Sequence, residues 1–186
     1  FVALVFVTLF WRLGTPTFWD PDEAHYAETS REMLSAGDWW APYYNEQPFF
    51  DKPIFFHQLQ AAAMLLAGQN ELGARLVPAL AALALVLFTG WLGARLISAD
   101  AGLVAALLLA ANPGVFGLAR YAILDTLFTA LLFGGVGLRR YALDRQLQVL
   151  AIGKVNLGNA GALIEYAAER WRAGGSVQHA ARRMRK

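Results

Sequence analysis

The chain of 186 residues has no cysteine, and charged residues make up only 16% of it. The absence of cysteine excludes disulfide bonds and thiolate metal sites. Charged residues make up roughly 25% of an ordinary soluble domain, whereas 57% of this chain is hydrophobic. This composition is typical of a protein that lies partly in a lipid bilayer.

Apolar residues are concentrated in four runs, at positions 1–11, 74–97, 101–119 and 123–138. Because a helix needs about 20 apolar residues to cross a bilayer, the first run is short and the last is slightly short. No signal-peptide cleavage site follows the first run, which favours a truncated helix over a leader. Short connections between the runs favour helical hairpins, whose backbone hydrogen bonds stay satisfied in lipid. We predict an all-α membrane protein with about four transmembrane helices.

The charges are distributed unevenly along the chain. Residues 14–73 contain nine acidic and two basic side chains, whereas residues 139–186 contain three acidic and ten basic ones. Basic segments remain in the cytoplasm, so we expect residues 1–138 to form a transmembrane domain whose first loop, 14–73, is extracytoplasmic. The turn at 120–125 then lies on the same side as this loop. Arg75 and Arg95, near the ends of the second run, are expected to extend to the headgroups.

Residues 139–186 are predicted to form a basic, helical, cytoplasmic tail of uncertain origin. One interpretation is a helix lying on anionic lipid. The other is an altered or misjoined end of the reading frame, and the sequence does not choose between them.

Residues 19–28, Trp-Asp-Pro-Asp-Glu-Ala-His-Tyr-Ala-Glu, carry the strongest local signal. A helix capped by Asp20, with Pro21 at its first position and Glu23 at its third, forms an acidic variant of the capping box. Capping does not explain Asp22. On this helix Asp22 shares a face with the residues three and four positions later, which are His25 and Tyr26.

This shared face makes Asp22 the candidate general base, since such a base is a carboxylate within hydrogen-bond reach of the attacking group. The acids Asp20, Glu23 and Asp51 could also join Asp22 and His25 in an oxygen-rich metal site. Their spacing matches no known metal-binding loop.

Two further stretches carry charge at the predicted membrane boundary. In residues 47–54 Pro53 begins a helix, and Lys52 before it is either an interfacial anchor or a cation that binds a lipid-linked phosphate. Asp125, at the outer end of an apolar helix, is either a functional group or a boundary residue paired with Arg120. His57, Gln58 and Gln60 carry little specific signal.

Four motifs occur in order, at residues 19–28, 31–39, 50–53 and 121–125. Together they resemble the aminoarabinose transferases that modify lipid A. More broadly, they resemble the dolichyl-phosphate-mannose protein mannosyltransferase-like proteins of the GT-C superfamily. The resemblance covers residues 1–145.

The resemblance implies a multi-pass protein of the bacterial inner membrane with juxtamembrane helices at about residues 21–36 and 54–67. It implies inverting transfer of a sugar from undecaprenyl phosphate, or a related polyprenyl phosphate, to lipid A, a glycan or a protein. Membrane lipids are the other expected partners, and nucleic acid is not expected. Since the leaving group is a phosphate, cations that stabilise its charge matter more than an acid. No cofactor is required, and a role for a divalent metal stays open.

The resemblance also implies roles for individual residues. Asp22 and Glu23 belong to the active site, with Asp22 as the base that activates the acceptor. Lys52 holds the donor phosphate beside Asp51. Asp125 is a second catalytic carboxylate, and the remaining substrate-binding residues are Tyr26, His25 and Arg120. The chain departs from the pattern in two places, because His25 stands where Arg is frequent and Phe49 where Tyr is frequent.

Family members have many more transmembrane helices and a large C-terminal domain. We therefore expect the chain to be the N-terminal portion of such an enzyme. Taken alone, it is expected either to transfer the sugar or to bind the lipid-linked donor without turnover. The alternative from another class is a non-catalytic membrane module or fragment that binds polyprenyl phosphate. A transporter is less favoured, because the charges cluster at one interface and not at the membrane midplane.

Overall fold

The structure, a computed structural model, describes residues 1–19 and 21–156, with side chains described as far as residue 147. Asp20, predicted as a helix cap, lies outside the described residues, as does the part of the predicted tail at 157–186. The chain separates into two compact units, Phe1–Arg139 and Arg140–Lys186. All side chains discussed below belong to the first unit.

The described residues form seven helices and one antiparallel hairpin of two short strands. The hairpin pairs Tyr43 with Pro48 and Tyr44 with Gln47. In chain order the elements are α1 (Val2–Phe10), α2 (Asp22–Ala36), β1 (Tyr43–Tyr44), β2 (Gln47–Pro48), α3 (Ile54–Ala67), α4 (Glu71–Leu96), α5 (Ala99–Ala110), α6 (Pro113–Ala119) and α7 (Asp125–Asn156). The two helices expected in the first loop are thus α2 and α3.

Among the described residues, α4 is the one helix that is long and apolar enough to cross a membrane alone, with 26 residues and a mean hydropathy of 2.1. Helices α5 and α6 are long enough to cross a membrane only when taken as a pair, and this pair is bent by 64° at its junction. The apolar part of α7, residues 126–138, is about 20 Å long, less than the ~30 Å of a bilayer core. The described residues therefore hold one or two candidate spans, and the prediction of about four is not confirmed.

The single helix predicted over residues 101–119 is wrong, because the chain breaks at Asn112 and Pro113. Proline lacks an N–H and disfavours helical geometry in the residue before it. The side chain of Asn112 then caps the next helix, accepting hydrogen bonds from the N–H groups of Gly114 at 2.8 Å and Val115 at 3.2 Å. An asparagine followed by proline is a start signal for a new helix.

Helix α4 lies at the centre of the packing and contacts α1, α3, α5 and α6. One buried cluster joins α1, α4, α5 and α6 through Val5, Leu9, Ala82, Val86, Ala106 and Ala119. A second cluster joins α2, α3, α4 and the 120–124 turn through Ala27, Met64, Ala74 and Ala122. Small residues predominate, and they allow close helix contact of the kind found in membrane proteins.

The hairpin is fixed to α2 by one carboxylate. Asn45 and Glu46 at its tip have positive φ angles of 52° and 61°, as in the tight turns that suit twisted strands. The Glu32 oxygens accept hydrogen bonds from both backbone N–H groups, at 2.8 and 3.0 Å. This contact holds the hairpin, and the aromatic residues on it, beside α2.

Candidate active site

Helix α2, the segment after the hairpin and the start of α3 surround a cavity of about 130 Å³. Its lining includes two acidic, one basic, two imidazole and two aromatic side chains: Asp22, Asp51, Lys52, His25, His57, Tyr26 and Phe49. Five of the eight predicted site residues are therefore brought together, although they come from segments about 30 positions apart. We call this space the Asp22–Lys52 cavity.

The structure places the three residues of the predicted α2 face on one side of the helix. Asp22, His25 and Tyr26 all line the cavity, as expected from their i, i+3 and i+4 positions. Asp22 is the first residue of α2 and is exposed. A carboxylate at a helix N-terminus interacts favourably with the helix dipole, and this position presents the Asp22 side chain to solvent.

Lys52 precedes Pro53, which caps α3. Its Nζ lies 2.9 Å from an oxygen of Asp51, and both side chains are substantially exposed. The hydrogen bond with Asp51 is the main cause that raises the pKa of Lys52, and the nearby Tyr26 and Asp22 add to it. Lys52 is therefore a full positive charge at neutral pH. An exposed ion pair of this kind contributes little to stability, so the charge remains available to a ligand.

Tyr26 stands beside Lys52 and three carboxylates. Burial is the largest cause that raises the pKa of the Tyr26 phenol, and the positive charge of Lys52 opposes the rise. The carboxylates of Asp125, Asp22 and Asp51 raise the pKa further. The phenol therefore stays protonated at neutral pH and can donate a hydrogen bond into the cavity.

Aromatic rings form another part of the wall. The imidazole of His25 stacks on Tyr44 at 3.7 Å and on Phe49 at 5.0 Å between ring centroids. The Tyr26 ring meets Phe56 edge-on at 5.4 Å and stacks on His57 at 5.5 Å. Phe49 lines the cavity directly, and Tyr44 of the hairpin contacts the cavity residue His25 from outside that lining, a contribution that the sequence did not predict.

Sequence analysis did not predict two of the cavity residues, Phe49 and His57, and His57 is the polar one. Only 1% of it is exposed, and its Nδ1 lies 3.0 Å from the Ser30 hydroxyl. Burial lowers the pKa of His57 to about 4, and the nearby backbone of Tyr26 opposes this shift. The imidazole is therefore neutral at physiological pH. The spacing of Ser30, His57 and Gln60 gave no local signal, because the first lies on a different helix from the other two.

Glu23 does not face the cavity with its neighbour Asp22. It is fully buried and forms an ion pair with Arg75, with Arg75 Nε at 2.5 Å and Nη2 at 2.7 Å. Its oxygens also accept hydrogen bonds from the backbone N–H groups of Trp19 and Ala122, each at 2.9 Å. The bond to Trp19 resembles the predicted capping contact, but the ion pair turns the carboxylate into the core.

Arg75 is 2% exposed, so the expectation that it extends to the headgroups is wrong. Arg95, in contrast, is exposed. The Arg75 guanidinium donates to the carbonyls of Leu13, Pro16 and Thr17 as well as to Glu23. All five of its N–H groups are thereby used. We call this set the Glu23–Arg75 cluster.

The cluster joins α2, α4, the segment before α2 and the 120–124 turn. Glu23 was predicted to act in the active site, but its carboxylate has four hydrogen bonds and no surface to offer a substrate. Its position instead fixes the start of α2, and with it Asp22. This is a correction of the sequence-based role for Glu23.

Arg120 and Asp125 lie outside the Asp22–Lys52 cavity. Arg120 donates to the carbonyls of Leu9 at 2.9 Å and Arg12 at 3.2 Å, and it lines separate cavities of about 570 and 560 Å³. Asp125 is exposed at the first position of α7. The structure shows no ion pair between Arg120 and Asp125 among the described residues, so that alternative is wrong. Asp125 reaches the cavity through its charge, which acts on Tyr26.

In residues 1–19 and 21–156, no group of three or more His, Asp or Glu side chains is placed to hold a metal ion. The acids proposed for such a site are separated by the ion pair that holds Glu23. The cavity is therefore described by its carboxylates, its lysine and its imidazoles alone.

A largely helical fold with one or two candidate membrane spans and a polar cavity lined by helix ends is consistent with a helical membrane protein. Comparison with known proteins gives the family. The chain belongs to the dolichyl-phosphate-mannose-protein mannosyltransferase family, whose family model matches residues 1–150.

Individual relatives agree with this assignment. The undecaprenyl phosphate-alpha-4-amino-4-deoxy-L-arabinose arabinosyl transferase of Edwardsiella ictaluri is 34% identical over 132 residues, which are 69% of this chain and 24% of that protein. The enzyme of the same name from Pectobacterium carotovorum is 32% identical over 144 residues, 75% of this chain and 26% of that protein. The chain thus spans about a quarter of the length of these relatives.

The fold is similar to that of ArnT from Cupriavidus metallidurans. The crystal structure of ArnT bound to undecaprenyl phosphate matches with a TM-score of 0.68 and 33% identity, covering 70% of this chain and 24% of that chain. The structure of its apo state matches with a TM-score of 0.67, covering 69% and 24%.

Proposed function

We propose that the chain forms the donor-binding cavity of a membrane glycosyltransferase that moves a sugar from polyprenyl phosphate to lipid A, another glycan or a protein. The observation that carries the proposal is that a carboxylate, Asp22, and a charged lysine, Lys52, line one cavity. The names of the relatives support undecaprenyl phosphate as the carrier and 4-amino-4-deoxy-L-arabinose as the sugar. The bacterial inner membrane is the proposed location, with the cavity on its outer side.

In this proposal Lys52 binds the donor phosphate and stabilises the negative charge that grows on it as the sugar leaves. Asp51 keeps Lys52 charged and limits its movement. The Tyr26 phenol, which stays protonated, donates a hydrogen bond to an oxygen of the donor. His25 lines the same cavity and contributes to donor binding through its ring.

Asp22 acts as the general base. It takes the proton from the attacking hydroxyl or amine of the acceptor as a bond forms to the anomeric carbon of the sugar. The bond from that carbon to the phosphate oxygen breaks on the opposite side, and its electron pair leaves with polyprenyl phosphate. The configuration at the anomeric carbon is therefore inverted. No cofactor takes part in these steps, and a metal requirement is a separate question for experiment.

The residues outside the cavity have indirect roles in this scheme. Glu23 positions the start of α2, and Asp125 adds negative charge near Tyr26. Arg120 fixes α1 to the turn that precedes α7, through the carbonyls it binds. We accordingly place it in the scaffold of the site.

A second candidate is a membrane module that binds polyprenyl phosphate without turnover. It rests on the same lysine and needs no base. In this candidate the exposed Lys52, beside Asp51, binds the phosphate, whereas transfer also requires Asp22.

The test uses the purified chain in lipid nanodiscs with undecaprenyl-phosphate-linked aminoarabinose and lipid A. Transfer by the unaltered chain, abolished by Asp22→Asn with donor affinity unchanged, supports the enzyme. Donor binding without transfer supports the second candidate. The matched control is Glu46→Gln, an exposed acid of the same loop that does not line the cavity. Transfer that persists in Asp22→Asn contradicts the role of Asp22.

A further inference from the structure

A chain of three side chains fixes the hydrogen atoms on the His57 ring. Gln60 donates its Nε2 hydrogen to the carbonyl of Ala74 at 2.9 Å, which leaves its Oε1 as an acceptor. Ser30 donates its hydroxyl hydrogen to that Oε1 at 2.6 Å. A hydroxyl has one hydrogen to donate, so toward His57 the Ser30 oxygen can only accept.

It follows that Nδ1 of His57 carries the ring hydrogen and donates it to Ser30 across 3.0 Å. A neutral imidazole has one N–H and one bare nitrogen, so Nε2 is a hydrogen-bond acceptor. Burial, which lowers the pKa of His57 to about 4, keeps the ring in this neutral form. The tautomer is thus set by the fold before any ligand arrives.

Nε2 has no use within the protein. It is buried and has no hydrogen-bond partner among the described residues, although His57 lines the Asp22–Lys52 cavity. An unpaired buried acceptor destabilises a folded protein, and most buried polar atoms in proteins are paired. The orphan atom therefore marks a place where the cavity expects a hydrogen-bond donor.

The parts of a lipid-linked sugar differ in their ability to donate a hydrogen bond to Nε2. The phosphate that Lys52 attracts offers oxygens that accept, and a polyprenyl chain offers neither donors nor acceptors. A carbohydrate offers hydroxyl groups, and an amino sugar offers N–H groups as well. Of the parts of a lipid-linked sugar, the sugar is thus the part that can satisfy Nε2.

We propose that His57 is a sugar-binding residue, whose Nε2 accepts a hydrogen bond from a hydroxyl or amino group of a carbohydrate held in the Asp22–Lys52 cavity. The inference rests on the proposed function and deepens it. The carbohydrate is either the sugar of the lipid-linked donor or that of the acceptor, and the experiment separates the two.

Two amide substitutions form a matched pair. His57→Asn places an amide near the position of Nδ1, so it retains the bond to Ser30 and removes the acceptor that faces the cavity. His57→Gln reaches the position of Nε2 and offers an amide oxygen there. If Nε2 reads a carbohydrate, the shorter amide loses this contact and the longer one keeps most of it.

The measurement is the affinity of the chain, in lipid nanodiscs, for three probes: undecaprenyl phosphate, the same lipid carrying aminoarabinose, and lipid A. We expect His57→Asn to weaken the affinity for one carbohydrate probe about 3- to 10-fold and to leave the affinity for undecaprenyl phosphate unchanged. His57→Gln should restore the lost affinity. Loss for the aminoarabinose lipid assigns Nε2 to the donor sugar. Loss for lipid A assigns it to the acceptor.

Ser30→Ala removes the group that holds the hydrogen on Nδ1, and the same selective loss, smaller in size, is expected. This variant serves also if His57→Asn fails to fold, as judged by its thermal unfolding. Equal losses for all three probes, or none, overturn the inference while leaving the proposed function standing. Failure of the unaltered chain to bind either undecaprenyl lipid contradicts the proposed function and the inference together.

Discussion

The Asp22–Lys52 cavity and the Glu23–Arg75 cluster contain the same kinds of charge in opposite states. In the cluster, both carboxylate oxygens of Glu23 accept hydrogen bonds, and every N–H group of Arg75 donates to a partner within the protein. In the cavity, Asp22 is exposed and Lys52 has one exposed partner. Saturated charges hold the fold together, whereas unsaturated ones are left to bind a ligand.

The two regions meet at adjacent residues. Successive side chains of an α-helix point about 100° apart, so Asp22 and Glu23 cannot face the same space. One points into the cavity and the other toward Arg75 in α4. The pair therefore combines two functions, in which Glu23 fixes the helix end and Asp22 is presented by it.

The largest expected effect is in the cluster. Arg75→Met leaves Glu23 buried without its cation, and loss of one partner of a buried ion pair costs about 3–5 kcal/mol. The thermal unfolding of the detergent-solubilised chain should shift strongly downward. Arg95→Met, which removes an exposed arginine from the same helix, is the control and should have little effect. Equal shifts for both variants would contradict the distinction between the two regions.

His57 tests the boundary between the two regions, because it is buried like Glu23 yet lines the cavity. Its folded-state pKa of about 4 lies below the ordinary 6.5, so protonation favours the unfolded chain. The stabilising effect of neutral His57 is complete above pH 6.5 and is lost as the pH falls toward 4, by about 3 kcal/mol.

The measurement is the unfolding free energy of the unaltered chain and of His57→Gln between pH 7.5 and 4.5. Other groups titrate in both proteins, so the difference isolates His57. The advantage of the unaltered chain should shrink as the pH falls. A constant difference over this range would show that His57 is not held neutral.

In the cavity, Lys52→Met should weaken undecaprenyl phosphate binding about 10- to 100-fold, since a charge-assisted hydrogen bond contributes about 1.5–3 kcal/mol. Its unfolding temperature should stay close to that of the unaltered chain, because the Lys52 side chain is substantially exposed. Arg31→Met, which removes a surface cation outside the cavity, controls for general loss of charge. A large loss of stability in Lys52→Met would place Lys52 with the cluster.

The smallest expected effect concerns a carboxylate that is hydrogen-bonded within the protein without being buried. Glu32 is partly exposed, yet its carboxylate holds two N–H groups of the hairpin turn. Glu32→Gln should cost about 1 kcal/mol, the usual size of a capping contact, and should loosen the hairpin that holds Tyr44 against His25. Hydrogen exchange at the amides of Asn45 and Glu46 measures this directly, and unchanged protection would argue that the hairpin is held by other contacts.

Much of the cavity follows from local spacing. The i, i+3 and i+4 positions of Asp22, His25 and Tyr26 predict a common face, and Pro53 predicts the start of α3. The break between α5 and α6 is also readable from the sequence, because Asn112 before Pro113 is a capping signal, although the apolar run on both sides favours one continuous helix.

The rest depends on contacts between distant residues. Glu23 and Arg75 are 52 positions apart and Ser30 and His57 are 27 apart, so no helical period relates them. Capping was a sufficient local explanation for Glu23, and snorkelling was one for Arg75. Each explanation concealed the ion pair that the folded chain forms between them. The convergence of Asp22 and Lys52 followed from the resemblance, which orders motifs that spacing alone leaves unrelated.

The most direct test of the shared cavity uses the absence of cysteine, since a single thiol can be introduced and followed without background. The rate of maleimide labelling is measured for Asp22→Cys, and for Glu46→Cys as control, with and without undecaprenyl phosphate. The account predicts that the lipid slows labelling at position 22 alone, and that adding Lys52→Met abolishes this protection. Labelling at position 22 that is equally fast with and without the lipid would show that Asp22 and Lys52 do not serve one ligand.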